Sequence, residues 1–182
     1  MVVIFLYICQ MKSVKQPIIQ SDKTMNDTIT YGTLELYIDT SYKPEHHRRQ
    51  WGTMAADFDK LGLKSGEKVY FHYLSLEGSP QLPPDKWLVH PDQLYCVIRD
   101  KIEMLNQYLL VDIIEEPQKQ SIIIQEKKKS VTRGIVRHTN HPELKDGDTV
   151  MFRDIMAFVN EIEGHEYYLM ENRDAFCKIV NK

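Results

Sequence analysis

The feature that most constrains this chain is that it repeats itself. Trp51-Gly52-Thr53-Met54 resembles Arg133-Gly134-Ile135-Val136, and Leu63-Lys64-Ser65-Gly66-Glu67-Lys68-Val69-Tyr70-Phe71 resembles Leu144-Lys145-Asp146-Gly147-Asp148-Thr149-Val150-Met151-Phe152. Trp87-Leu88-Val89 is answered by Tyr168-Leu169-Met170, and Leu94-Tyr95-Cys96-Val97-Ile98 by Ala175-Phe176-Cys177-Lys178-Ile179. Ahead of these, Leu36-Tyr37-Ile38-Asp39 resembles Leu109-Leu110-Val111-Asp112. All five matches fall in one order, and from the second onward the offset is 82 and then 81 residues. A repeat of that length predicts a tandem duplication, two small units of one fold.

Each unit reads as short strands punctuated by turns. Lys64-Ser65-Gly66-Glu67 and Lys145-Asp146-Gly147-Asp148 are turn chemistry, each followed by an apolar strand, Val69–Tyr73 and Val150–Phe152. Glu163-Gly164-His165 predicts a hairpin turn between Phe158–Ile162 and Glu166–Met170. A single helical turn is expected before each last strand, at His90–Leu94 and Asn172–Ala175, with Asp92 or Asp174 as caps. Strands this short and this evenly spaced predict two antiparallel β-barrels, not βαβ units. A barrel of roughly 70–80 residues has a thin core and leans on its neighbours.

The copies differ most in the segment after the first strand. From the matched Asp to the matched Gly is 13 residues in copy one, Asp39 to Gly52, and 22 in copy two, Asp112 to Gly134. The extra length of copy two lies in the polar segment from Glu115 to Arg133, between the strand Tyr108–Ile114 and Gly134–Val136. It holds one apolar island, Ile122-Ile123-Ile124. Left in water, each isoleucine forgoes roughly 1.5–3 kcal/mol of burial. Either the island is a further strand of the sheet, or a partner covers it. Copy one has only Tyr42-Lys43-Pro44-Glu45-His46-His47-Arg48-Arg49 at that point, polar and without an apolar anchor. An element that one copy does without is more readily a binding element than a staple of the fold.

Composition excludes several classes. With 23 Lys+Arg against 26 Asp+Glu the net charge is −3, which argues against nucleic acid. Cys9, Cys96 and Cys177 make neither a metal spacing nor a disulfide framework, so a reducing, cytoplasmic setting is expected. The apolar start, MVVIFLYIC, lacks the flanks of a signal peptide and is too short to span a bilayer, so no membrane is expected. It reads as a mis-assigned start, a short extra strand or a tail, and no function is assigned to it. Phosphate-binding, metalloprotease and nucleophile-elbow motifs are missing, and the chain is read as no enzyme, with no metal and no cofactor. Glu45-His46-His47 and the His138, His141, Glu143 group read as polar loops. Lys127-Lys128-Lys129 reads as a solvated run that could steer the loop to an acidic surface. Trp87, Tyr167 and Tyr168 read as core or inter-unit packing.

The second unit resembles the co-chaperonin family, the chaperonin-10 or GroES-like proteins. The resemblance is carried by Tyr108-Leu109-Leu110-Val111, the loop with Ile122-Ile123-Ile124, Thr132-Arg133-Gly134-Ile135-Val136, the turn and strand Leu144–Phe152, the segment Glu161–Met170 and the end at Ile179-Val180. Unit one resembles the family through its Lys64–Phe71 turn and strand and its end at Cys96–Ile98. The resemblance implies two tandem GroES-like barrels: a flexible tail over 1–28, a degenerate barrel without a docking loop over 29–100, and a barrel over 101–182 with a mobile loop at 115–133. It implies a cap for a large ATP-driven chaperonin of the chaperonin-60 double-ring type, gripped by Ser121, Ile122, Ile123 and Ile124, with folding assistance as the function. Departures are the double chain, the missing roof hairpin (only Arg137–Glu143 separates Val136 from Leu144), and Ser121 where glycine is common. In the family the last strand of one subunit lies beside the first strand of the next. Arg99-Asp100 could thus join two ring neighbours within one chain, and a homo-oligomer with an even number of units is expected. The alternative is a structural or assembly protein, phage-type, that keeps the double barrel and caps nothing.

Overall fold

A computed structural model describes residues 13, 15–21, 28–37, 39, 48–77, 79–83, 85–114, 131–153 and 157–179. Among them the regular structure is strand with a few single 3-10 turns, in two antiparallel sheets and one detached hairpin. The strands are β1 (Ile18–Gln20), β2 (Thr28–Tyr31), β3 (Leu34–Tyr37), β4 (Trp51–Met54), β5 (Lys68–Phe71), β6 (Gln81–Leu82), β7 (Lys86–Leu88), β8 (Leu94–Ile98) and β9 (Ile102–Met104). They continue with β10 (Tyr108–Ile113), β11 (Thr132–Thr139), β12 (Thr149–Phe152), β13 (Phe158–Ile162), β14 (His165–Glu171) and β15 (Ala175–Ile179). The expected all-β class with two small antiparallel units is what the chain adopts.

The first sheet runs β6-β7-β1-β4-β5-β8-β9 and the second β13-β14-β10-β11-β12-β15. Six strands of each correspond in order, and the pairing agrees in detail. Val69 faces Val97 as Val150 faces Lys178, and each ladder is bulged one residue later, between Tyr70 and Phe71 and between Met151 and Phe152. The two turns also agree. Gly66 and Gly147 take φ of 90° and 92°, a region where a side chain would be strained. Their N–H groups donate to the carbonyls of Met54 (2.8 Å) and Val136 (2.7 Å). Lys64 N–H donates to the Glu67 carboxylate and Lys145 N–H to that of Asp148.

Strand alternation divides the core. Ile19, Val69, Phe71, Leu94 and Val97 pack inside the first unit, together with Met54, Phe58, Leu63 and Trp87. Leu109, Val111, Val136, Val150, Phe152 and Met170 fill the second. The opposite faces of the same strands meet in a third cluster, where Tyr70, Tyr95 and Cys96 of unit one pack on Leu110, Ile162 and Leu169 of unit two. The units therefore share a buried junction, to which Tyr167 adds its ring, and Trp87 and Tyr168 lie in the separate cores as expected.

The structure corrects the start of unit one. Leu36–Asp39 does not open it: Leu34–Tyr37 pairs with Thr28–Tyr31 across the turn at Gly32, a hairpin outside both sheets. The strand that pairs with β4 and β7, as β10 pairs with β11 and β14, is Ile18–Gln20. The Leu-Tyr-Ile-Asp likeness misleads because a nearby Thr-Ile-Thr-Tyr offers a partner at almost no loop-closure cost. Ile19, fully buried, fills the central place. The first unit thus begins within the span read as a tail, before residue 29. The helical turns are single 3-10 turns at Pro91–Gln93 and Asn172–Asp174, and neither aspartate caps. His90 Nδ1 accepts from Asp92 N–H in the first, and the second has no side-chain cap.

Candidate docking site

The site is built where the loop leaves the second sheet. The ladder between β10 and β11 closes at Ile113 opposite Gly134, and Ile114 N–H donates to the Arg133 carbonyl at 2.9 Å. Chain description stops at Ile114 and resumes at Val131, which is exposed. Ser121, Ile122, Ile123 and Ile124 lie outside the described residues, as do Lys127–Lys129, Glu45, His46 and His47. What the structure supplies is the frame of the loop. Asp112, the last polar residue before it, contacts Arg137 at 2.5 Å and His165 at 3.1 Å, tying β10 to β11 and β14. Burial would raise its carboxyl, but the hydrogen bonds with His165 and Arg137 prevail and hold it low. Sequence reasoning used Asp112 only as a landmark of the repeat. The pairing partners are remote in sequence, so no local signal pointed to this clamp.

Unit one has an equivalent connection, from β1 to β4, and it is not lost. It spans residues 21–50, against 114–131 in unit two. Its root is closed by Ser21, whose hydroxyl donates to the Trp51 carbonyl at 3.0 Å and whose carbonyl accepts from Trp87 Nε1 at 2.9 Å. Outside the sheet it carries the β2–β3 hairpin, on which Leu34 is 62%, Leu36 53% and Tyr37 83% exposed. The comparison that made copy one polar here was drawn from the wrong first strand.

The His138, His141 and Glu143 group makes ring and turn contacts. His138 sits near Tyr167, ring centroids 5.8 Å apart, and burial lowers its pKa. His141 Nδ1 accepts from Glu143 N–H, a local turn bond. No group of three or more metal-ligating side chains occurs among the described residues. No helix among them is long and apolar enough to cross a membrane.

At the junction, Lys68 Nζ donates to Glu163 Oε1 at 2.6 Å and the Tyr70 hydroxyl donates to the same oxygen at 3.3 Å. Deeper in, Asn160 Nδ2 donates to Gln50 Oε1 and to the Tyr95 oxygen, and the Tyr95 hydroxyl donates to Gln50 at 3.2 Å. Burial raises the Tyr95 phenol well above its ordinary value, and burial likewise raises the Cys96 thiol. Strand β9 completes the junction by pairing with β8, Cys96 opposite Met104 and Ile98 opposite Ile102. Leu105 N–H reaches the Tyr95 carbonyl at 2.7 Å, and Asn106 Nδ2 the Leu94 carbonyl at 2.7 Å.

These features define an antiparallel β-sheet module in which a long inter-strand connection leaves from a clamped root. Residues 101–179 match the family model described as the chaperonin 10 Kd subunit. The matched span begins one residue before β9, the strand lodged in the first unit's sheet. No curated protein matches the chain.

Proposed function

We propose that this protein is a co-chaperonin that caps a double-ring chaperonin of the chaperonin-60 type, with Ser121 and Ile122–Ile124 as its grip. The observation that carries the reading is the family match over 101–179, which spans the apolar tripeptide between β10 and β11. Polar flanks keep such a loop solvated, so the isoleucines gain their burial only in a complex. The exposed Leu34, Leu36 and Tyr37 on the matching connection of unit one support it, since they add a second apolar element of the same kind. The chain acts as a homo-oligomer of tandemly duplicated units in the cytoplasm, with no part for nucleic acid, membrane, metal or cofactor.

The test is capture of the chain by a purified double-ring chaperonin, with and without ATP. Ile123→Asp should abolish capture, because it drives a charge into an apolar groove, while leaving Tm unchanged. Loss of the folded state in that variant would make the island core and remove the docking role. Failure of the unmodified chain to bind under either condition would leave the assembly-protein reading in its place.

A further inference from the structure

One titratable ring is built into the contact between the two units. His72 follows β5 in unit one, and its ring meets that of Phe158, the first residue of β13 in unit two, at 4.9 Å between centroids and 75° between planes. Phe158 in turn packs on the buried cluster that the units share. The backbone of His72 is fixed, its N–H donating to the Gln93 carbonyl at 3.0 Å. Its Nδ1 accepts from Leu74 N–H at 3.2 Å. A ring nitrogen that accepts a hydrogen bond carries no proton, so this is the neutral imidazole with its hydrogen on Nε2. A proton added at Nδ1 would set two donors against each other. The ring must then turn from the Leu74 amide, and in turning it gives up its place on Phe158. Its stacking on Tyr73, at 4.5 Å, lies within unit one and is open to either form.

We propose that His72 is a pH-sensitive latch between the units: neutral, it holds Phe158 and keeps the junction shut; protonated, it releases Phe158 and lets the units hinge apart. The latch is a property of the free chain and stands whether or not a chaperonin binds. Burial pushes the His72 imidazole below its ordinary value of 6.5, and no charge on the described residues offsets this. The closed junction therefore favours the neutral ring. Its contribution is complete above the ordinary value and is lost as pH falls through the lowered one. The charges nearest His72 along the chain are already paired, Glu77 with Arg48 at 2.6 Å and Asp92 with His90 at 3.5 Å. Other groups at the junction keep one state in this range. Burial raises the Tyr70, Tyr95 and Tyr108 phenols and the Cys96 thiol, which stay neutral. The Lys68 hydrogen bond holds Glu163 below 4.5, so that ion pair persists. His138 is also lowered by burial, but it faces Tyr167 of its own unit, with Asp146 and Asp112 favouring its charge and Arg137 and His165 opposing it.

Thiol labelling of the full chain tests this. Cys96 is fully buried in the shared cluster and reports opening of the junction, while Cys177 is exposed in the same chain and serves as reference. Labelling is followed by peptide mapping between about pH 7.5 and about pH 5.5, the range in which histidine changes charge. The ratio of Cys96 to Cys177 labelling cancels the reagent's own pH dependence. It should rise about tenfold as pH falls. His72→Gln is neutral throughout and can still accept from the Leu74 amide, so it should abolish the rise, whereas His138→Gln should keep it. Circular dichroism at neutral pH checks that each variant folds. Calorimetry of the unaltered chain gives a second reading that needs no variant: one transition at the upper pH and two at the lower. A flat ratio in the wild-type chain, a single transition at both pH values, or a rise that survives His72→Gln or vanishes in His138→Gln would each overturn the proposal.

Discussion

At the scale of single residues, the positions that matter most are those where one atom decides. A Cβ on Gly52 would lie 2.5 Å from Ile19 Cγ2 and 2.7 Å from the Gln20 carbonyl oxygen. The second contact is backbone and cannot move aside cheaply. Gly52→Ala should destabilise the protein by about 1–3 kcal/mol, the ordinary cost of overpacking, seen as a lower denaturant midpoint. Gly134→Ala should cost less, since its closest approaches are 3.1 Å, to the Asp112 carbonyl oxygen and to Phe152. Glu163 makes a pH prediction. Its carboxyl is held below the usual value by the Lys68 hydrogen bond. A depressed carboxyl contributes stability above its unfolded value, and that contribution is lost as pH falls through the folded value. Stability should therefore drop below about pH 4.5. Glu163→Gln should flatten that part of the profile, as followed by Tm against pH.

At the scale of elements, the β2–β3 hairpin is a segment that pairs with neither large sheet. Leu36 is 53% exposed on a hairpin paired only with itself. Leu36→Asp should leave Tm within a degree or so, because surface substitutions away from packing typically fall within about 0.5 kcal/mol. The clamp at the loop root behaves differently. Asp112→Ala removes the partner of both Arg137 and His165, and should raise hydrogen exchange at Ile114 and Arg133 while the cores stay protected. Equal protection in the variant would show that the ladder alone holds the root.

At the scale of the molecule, a shared buried cluster packs the two units against each other, and they should unfold as one cooperative body. Tyr95 and Asn160 are buried between them, and the Asn160 Oδ1 atom has no hydrogen-bond partner among the described residues. Asn160→Asp would place a charge in that site, where an unpaired ion is costly. It should split a single thermal transition into two, read by calorimetry, as each unit comes to unfold by itself. The sequence by itself determined the all-β class, the two units, the matched turns at Gly66 and Gly147 and the equivalence of Cys96 with Cys177. These are local or periodic features, visible wherever turn chemistry and strand alternation repeat. Tertiary structure alone decided which strand opens unit one, since Ile18–Gln20 and Leu36–Asp39 both look like strands and only pairing with β4 and β7 separates them. It alone decided that β9 belongs to the first sheet. It also decided that Cys96 is buried while its equivalent Cys177 is exposed, because burial depends on what packs against a strand, and Cys96 lies in the cluster that the two units share.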